Sequence, residues 1–422
     1  MNLVKQARFE LGLPVAIMLD TKGPEIRIKQ FKNGKILLTE GQNFALTTED
    51  VMGDETIVSV TYNKLPEIVS KNTKILLNDG LIELKVISKA GKVIHTVVTV
   101  GGELSNNKSI NIPSVELNME YLSETDKKDL LFGVEMGVDC YSISFVNSAK
   151  DVEDVRAFLN KAGAKNPFII SKIESAKGVE RMNEIIMASD GVMVARGDMG
   201  VEVPFEKLPS IQKQLIEKSN ELGKLTITAT QMLESMVTNT RPTRAEISDI
   251  ANAIYDGTSA IMLSGETSAG KHPVLAVSIM QKIANETEST IKSSELIKVV
   301  NSKDVTTGIG YAACDLSRSL KVDAILVTTT SGKSAESISR FRPECQIVAL
   351  TPSIDVYYKL GMLWGIQPLL DKTFYNTDEL LKSARVRAKE AGYVKKGDIV
   401  IQTAGIVTNV SGSNMLVVSE ID

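Results

Sequence analysis

From Ser123 onward, short apolar runs alternate with helical stretches, and this alternation limits the fold more than any other feature of the chain. The predicted order is helix Thr125–Met136, strand Cys140–Phe145, helix Asp151–Lys161, strand Phe168–Glu174, helix Val179–Ala188, strand Gly191–Ala195, helix Leu208–Leu222, strand Leu225–Ala229, helix Thr243–Tyr255, strand Ala260–Leu263 and helix Pro273–Ser289. Strands joined by single crossover helices run parallel. The run VAIML, Val15–Leu19, has the unbroken apolar character of a strand buried on both faces and adds a sixth. Polar residues stand at the strand ends: Asp20, Lys172, Glu174, Asp198, Thr230 and Glu266. Polar groups at the carboxyl ends of successive parallel strands are how a (β/α)8 barrel builds an active site. The opening MNLVKQARFELG reads as the end of a helix. The expected architecture is therefore α/β, a TIM-type barrel lacking its first two strands, at roughly 30 residues per βα unit.

Two further regions interrupt or follow that pattern. Between about Glu25 and Pro113 the chain is rich in Val, Ile and Thr, with turns at Asn33-Gly34, Asn78-Asp79-Gly80 and Gly101-Gly102. It reads as a small β domain inserted after the first strand. From about Ser294 an open α/β pattern resumes, with helix Gly308–Leu320, strands Ala324–Val327 and Ile347–Leu350, helix Leu380–Ala391, and strands Asp398–Gln402 and Met415–Val418. The expected domains are 1–23 with 119–293 for the barrel, 24–118 for the inserted β unit, and 294–422 for the C-terminal unit.

Composition narrows the chemistry. Forty-eight basic against fifty-two acidic residues give a net charge of −4, so no global basic field attracts nucleic acid. No apolar run is long enough to span a bilayer, and the first residues lack a signal-peptide core. Cys140, Cys314 and Cys345 are far apart and form no C-x-x-C pair, which points to a reducing, cytoplasmic compartment and against structural zinc. With only His95 and His272 present, carboxylates, lysines and threonines must carry any chemistry.

Several motifs can do so. LDTKGPEIR crowds Asp20, Lys22, Glu25 and Arg27 at a strand end, which suits phosphate and cation binding or a charged hinge. In SKIESAKG, Lys172 and Glu174 are two apart on a strand and share a face; they form either a substrate site or a buried ion pair. In ARGDMG, Gly197 admits close backbone approach and Asp198 offers a second carboxylate. Glu174 and Asp198 on neighbouring strands, with substrate oxygens and water, fit octahedral Mg2+. Thr230 in TATQMLESM can relay a proton, bind a carboxylate or cap a helix. Arg241 and Arg244 of RPTRAE suit phosphate, another subunit or the surface, and Glu266 is given no direct role. TTTSGKS (Thr328, Thr330, Ser331, Gly332, Lys333, Ser334) offers amides, hydroxyls and a lysine to a phosphate, though its spacing is not that of a Walker A loop. His95 reads as structural, His272 as a helix cap, and Met362 and Trp364 as core.

LDTKGPEIR, SKIES, VARGDMGVEVP, ATQMLESM, RPTRAE and MLSGET follow in this order from Val15 onward, and in them the chain resembles the pyruvate kinase family. The resemblance implies a barrel, an inserted β lid and a C-terminal regulatory unit. It implies phosphoryl transfer from phosphoenolpyruvate to ADP, giving pyruvate and ATP in glycolysis, with Mg2+ (or Mn2+) and K+. By motif, Glu174 and Asp198 would hold Mg2+, Asp20 and Thr21 would bind K+, and Lys172 would stabilise the phosphoryl group in transfer. Gly197, Asp198 and Thr230 would hold the substrate carboxylate, with Thr230 on the proton path, and Arg27 and Lys108 would meet the nucleotide phosphates. Ser109 stands where many members have glycine. TTTSGKS matches the family's loop for a sugar-phosphate activator, while IVTNVSGSNM departs from the usual Gly-rich form and leaves a sugar phosphate or a nucleotide as effector. A homotetramer is implied. Members carry two further strands before Val15, one with an R-x-N-x-S segment supplying a phosphate-binding arginine and K+ ligands. The chain is therefore expected to be a truncation or a catalytically impaired binding copy. The remaining alternative is a Mg-dependent enolate lyase or aldolase.

Overall fold

The computed structural model describes residues 1–113, 115, 119–291, 303–374, 376–405 and 412–422. Six parallel strands form one sheet in sequence order: β1 Met18–Asp20, β2 Cys140–Ile143, β3 Ile169–Ile173, β4 Gly191–Ala195, β5 Leu225–Ala229 and β6 Ala260–Ile261. Strands β2, β4 and β5 are buried at every position, as continuous apolar runs covered on both faces should be. Their register is direct, with Lys172 beside Met193 and Val194 beside Thr228.

β1 begins at Met18, not Val15. Pro14 has no N–H to give, and the Ile17 amide is taken by the Asp139 carboxylate at 2.6 Å, so ladder pairing starts one residue later. The stretch read as helix Val179–Ala188 is two helices, Ala176–Glu180 and Met182–Ala188, which break at Arg181. The first of them lies so close to the segment that follows β2 that a Cβ on Gly178 would approach the Val146 carbonyl to 2.7 Å. The opening segment is helical over Asn2–Leu11, ending in a left-handed Gly12.

The inserted unit is a seven-stranded sheet in the order Ile26–Arg27, Ser109–Asn111, Lys74–Leu77, Ile82–Ala90, Val93–Val100, Asn43–Thr47, Ile57–Ser59. A bridge between Ile28 and Val60 joins its two edges into a small barrel. Its interior is filled by residues such as Phe44, Leu46, Leu77 and Leu84 on alternate positions. Gly101 is not a turn but the crossing from this sheet to the ribbon Lys35–Leu38 with Gly102–Ser105. A Cβ there would meet the Leu38 carbonyl at 2.5 Å. His95 lies exposed on the strand Val93–Val100.

The C-terminal sheet runs Ile366–Leu370, Gln346–Thr351, Ala324–Thr328, Ile399–Ala404, Met415–Glu420, with only the last strand antiparallel. This unit sits under the amino ends of the barrel strands. Lys359 donates to the Asn166 carbonyl before β3, Arg340 to Glu221 before β5, and Arg342 to Gly257 and Thr258 before β6. Met362 and Trp364 are half-buried in this junction rather than core, and the Trp364 indole donates to Glu288 at 2.7 Å. His272 stands at the N-cap of Pro273–Thr290, but its side chain makes no capping bond. Among the described residues, no helix is long and apolar enough to cross a membrane.

Candidate active site

The carboxyl ends of β1 and β3 to β5 bring together six of the residues singled out by the sequence. Lys172 reaches out from β3 with 15% of its side chain exposed. Its ammonium donates to Ser144 Oγ at 2.8 Å and pairs with Glu174 Oε1 at 3.1 Å and Asp20 Oδ2 at 3.4 Å. Burial opposes that charge, but Glu174 and Asp20 outweigh it and hold the ammonium above the ordinary lysine range. Glu174 follows β3 with 1% of its side chain exposed, and its second oxygen accepts the Phe145 amide at 2.6 Å. Burial pushes its carboxyl up to about 7; Lys172 counters this and the Asp198 charge adds to it. Burial also raises Asp198, on the first turn of the helix Arg196–Glu202 that leaves β4, and again Lys172 counters. The two carboxylates and the lysine thus form one electrostatic unit, more than an isolated ion pair.

Thr230 closes the opposite side. It follows β5 with φ +70°, a left-handed conformation uncommon for a β-branched residue. It caps no helix. Its hydroxyl accepts the Gly197 amide at 2.8 Å and donates to the Ala229 carbonyl at 2.6 Å. A Cβ on Gly197 would stand 3.5–3.8 Å from the Thr230 side chain, over that hydroxyl. Glu266, fully buried, accepts the Leu233 and Ser264 amides at 2.9 and 2.7 Å and so anchors the loop that carries Thr230. Glu246 performs a similar task for Ser235 and completes the capping box with Thr243; Arg241 and Arg244 are exposed beside it.

Asp20 is half-exposed (54%), whereas Thr21 is buried, its carbonyl accepting Ser144 Oγ and its hydroxyl accepting the Ser144 amide. Arg27 and Lys108 belong to the inserted unit. Arg27 is held by Glu25 at 2.7 Å and donates to the Asn107 carbonyl at 2.8 Å; its partner on the facing strand is Ser109, which Lys108 directly precedes. A cleft of about 650 Å³ separates the inserted unit from the barrel, with Glu25, Asn111, Tyr121, Asn147, Asp198 and Glu202 in its walls. Asn111 bridges it by donating to Glu202 at 3.0 Å.

The TTTSGKS loop lies on the C-terminal unit, apart from these groups. Thr330, Ser331 and Lys333 are exposed, the Gly332 amide is taken by Thr329 Oγ1, and Ser334 pairs with Ser413. Most of IVTNVSGSNM falls outside the described residues.

Ser144, the Phe145 amide, Glu202 and Arg196 escaped the sequence reading. Ser144 gave a weak signal, a hydroxyl at the end of the expected strand Cys140–Phe145, which also holds Ser142; the amide gave none.

A family model for the pyruvate kinase barrel domain matches residues 1–277, and one for the pyruvate kinase alpha/beta domain matches residues 307–419. The chain belongs to the pyruvate kinase family. It is 44% identical to the pyruvate kinase of Clostridium acetobutylicum over all of this chain and 90% of the relative. Against the pyruvate kinases of Sporosarcina psychrophila and Geobacillus stearothermophilus it is 45% and 44% identical, over 98% of this chain and 71% of each relative. Within this family the chain is a phosphotransferase, and neither the lyase nor the binding-subunit reading gains support from the match.

Proposed function

We propose that the chain transfers a phosphoryl group from phosphoenolpyruvate to ADP, giving pyruvate and ATP. The observation that carries this reading is the Lys172 ammonium, fixed by Ser144, Glu174 and Asp20 at the carboxyl ends of the parallel strands. A cation so anchored cannot swing away. It is suited to neutralising charge on a phosphoryl group passing over it. Two carboxylates that repel one another across a buried lysine also suit a divalent cation, because Mg2+ is usually bound by one or two carboxylates plus phosphate oxygens and water. Glu174 and Asp198 would hold it, and it would offset the charge on the phosphates. The Gly197 and Asp198 amides would receive the substrate carboxylate. The Thr230 hydroxyl, directly or through water, would deliver the proton to the enolate carbon after transfer. The Asp20 carboxylate and the Thr21 carbonyl would offer oxygens to K+.

The finer features follow the same reading. Residues 24–118 act as a lid, with Arg27 and Lys108 meeting the nucleotide phosphates. Thr328, Thr330, Ser331, Gly332, Lys333 and Ser334 receive a phosphorylated effector. The assembly is a homotetramer in the cytoplasm. The test is pyruvate formation from phosphoenolpyruvate and ADP with Mg2+, in K+ and again in Na+. Turnover that needs the divalent metal supports the reading, and a folded chain that binds neither Mg2+ nor phosphoenolpyruvate overturns it.

A further inference from the structure

Arg196 stands immediately before the Gly197–Asp198 pair, yet its side chain points across to the end of β5 and not into the cleft. Its Nε donates to the Ala229 carbonyl at 3.1 Å and its Nη2 to the Thr230 carbonyl at 2.6 Å. These oxygens belong to the two peptide planes on either side of the Thr230 Cα. Fixing both planes fixes φ and ψ of Thr230, and with them the direction of its Cβ. The conformation held is a strained one: φ is +70° at Thr230 and +54° at Gln231, where a β-branched residue does not settle unaided. The guanidinium is itself held from behind by Asp249 at 2.7 Å, on the helix Arg244–Tyr255, and by Gln212 at 3.4 Å, on the helix Leu208–Glu221. Only 11% of the side chain is exposed. A planar fork can hold two carbonyls and a carboxylate at once, which an ammonium on a flexible stem does less well.

We propose that Arg196 is a positioning residue for the reaction, and that it sets the Thr230 hydroxyl in place by clamping the peptide planes on both sides of it. This rests on the reading that Thr230 contacts the substrate. The same residue immediately precedes the Gly197 and Asp198 amides in the chain, so one side chain registers the end of β4 against the end of β5.

A double-mutant cycle on the full chain tests the clamp. Arg196→Met should lower kcat about 100-fold, the scale for a reacting group displaced by about 1 Å, and leave KM for ADP unchanged. Arg196→Lys should recover part of the loss. In a Thr230→Ala background, Arg196→Met should cost little more, because both changes remove one function. Fully additive losses would overturn the proposal. The crystal structure of Arg196→Met supplies a reading that needs no turnover. Thr230 should leave the left-handed region and its hydroxyl should separate from the Gly197 amide beyond 3.5 Å; an unmoved Thr230 sinks the clamp. Should the wild-type chain form no pyruvate while Thr230 moves as expected, the functional reading fails and the clamp stands. If Arg196→Met does not fold, Asp249→Asn keeps the guanidinium but loosens its anchor. It should shift Thr230 and lower kcat in the same sense by a smaller factor, and an unchanged kcat with an unmoved Thr230 would overturn the proposal equally.

Discussion

Lys172 has three oxygen partners and a side chain only 15% exposed. Replacing the ammonium by an isosteric apolar chain should therefore leave two buried carboxylates repelling each other across a gap. Lys172→Met is expected to abolish turnover. Mg2+ affinity, measured by calorimetry, should be retained, since the cation itself then offsets that repulsion. Retained turnover would remove Lys172 from the mechanism. Glu266 shows the opposite kind of residue, one whose task is to accept backbone amides. Glu266→Ala leaves the Leu233 and Ser264 amides without their partner. At about 1–3 kcal/mol per buried unsatisfied group, it should lower the thermal midpoint and loosen the Thr230 loop together. That Lys172 and Glu174 would share a face at the end of one strand was legible because they stand two apart in an otherwise apolar run. That Thr230 is left-handed was not legible, since the residue type argues against it and the side chain that meets both its flanking carbonyls, Arg196, lies one strand–helix unit of chain away in a different motif.

At the scale of elements, the buried parallel strands were the easiest to read, and Gly191–Ala195 and Leu225–Ala229 lie where their apolar runs end. The strand Ile366–Leu370 went unread because Pro368 sits inside it and Gly361 and Gly365 precede it, all signs of a loop. The small helix Lys333–Ser339 offers a pH test. Burial pushes Glu336 on it up to about 6, with Asp190 of the barrel adding to the shift and Lys224, Lys333 and Lys359 opposing. A carboxyl whose folded value exceeds its unfolded one, near 4.5, binds more protons when folded. Stability is then greatest below pH 4.5 and falls as pH rises through 6. Glu336→Gln should remove that slope and stabilise the chain at pH 7 by up to about 2 kcal/mol. Thermal midpoints of both forms at pH 5 and pH 7 check this, and equal slopes would contradict it.

The whole molecule is held across its cleft by few contacts. Asn111 meets Glu202 at 3.0 Å, and a Cβ on Gly80 would meet Val201 at 3.4 Å. Burial holds the Glu202 carboxyl above its usual range, and the Asn111 amide counters it. Asn111→Ala removes the bond from the side of the inserted unit, the proposed lid, without touching the barrel's charged groups. Losing one hydrogen bond to a charged partner, about 1.5 kcal/mol or more, should raise KM for ADP roughly tenfold while leaving kcat near its original value. A change in kcat alone would show that the contact does not govern closure.

The C-terminal unit grips the barrel from beneath, by the loops that feed β3, β5 and β6, through Lys359, Arg340 and Arg342. Among the described residues, none of these contacts reaches the groups on the upper rim. A ligand on Thr328–Ser334 therefore has no direct line to Lys172 or Thr230. Whatever it transmits must travel lengthwise, as a small tilt of one sheet beneath the other that nudges three strand feet at once. Ladder hydrogen bonds hold neighbouring strands in register, so such a tilt moves connected strands together and does not bend one loop. Regulation built this way would act on the rim as a whole, and every group on it would be retuned together.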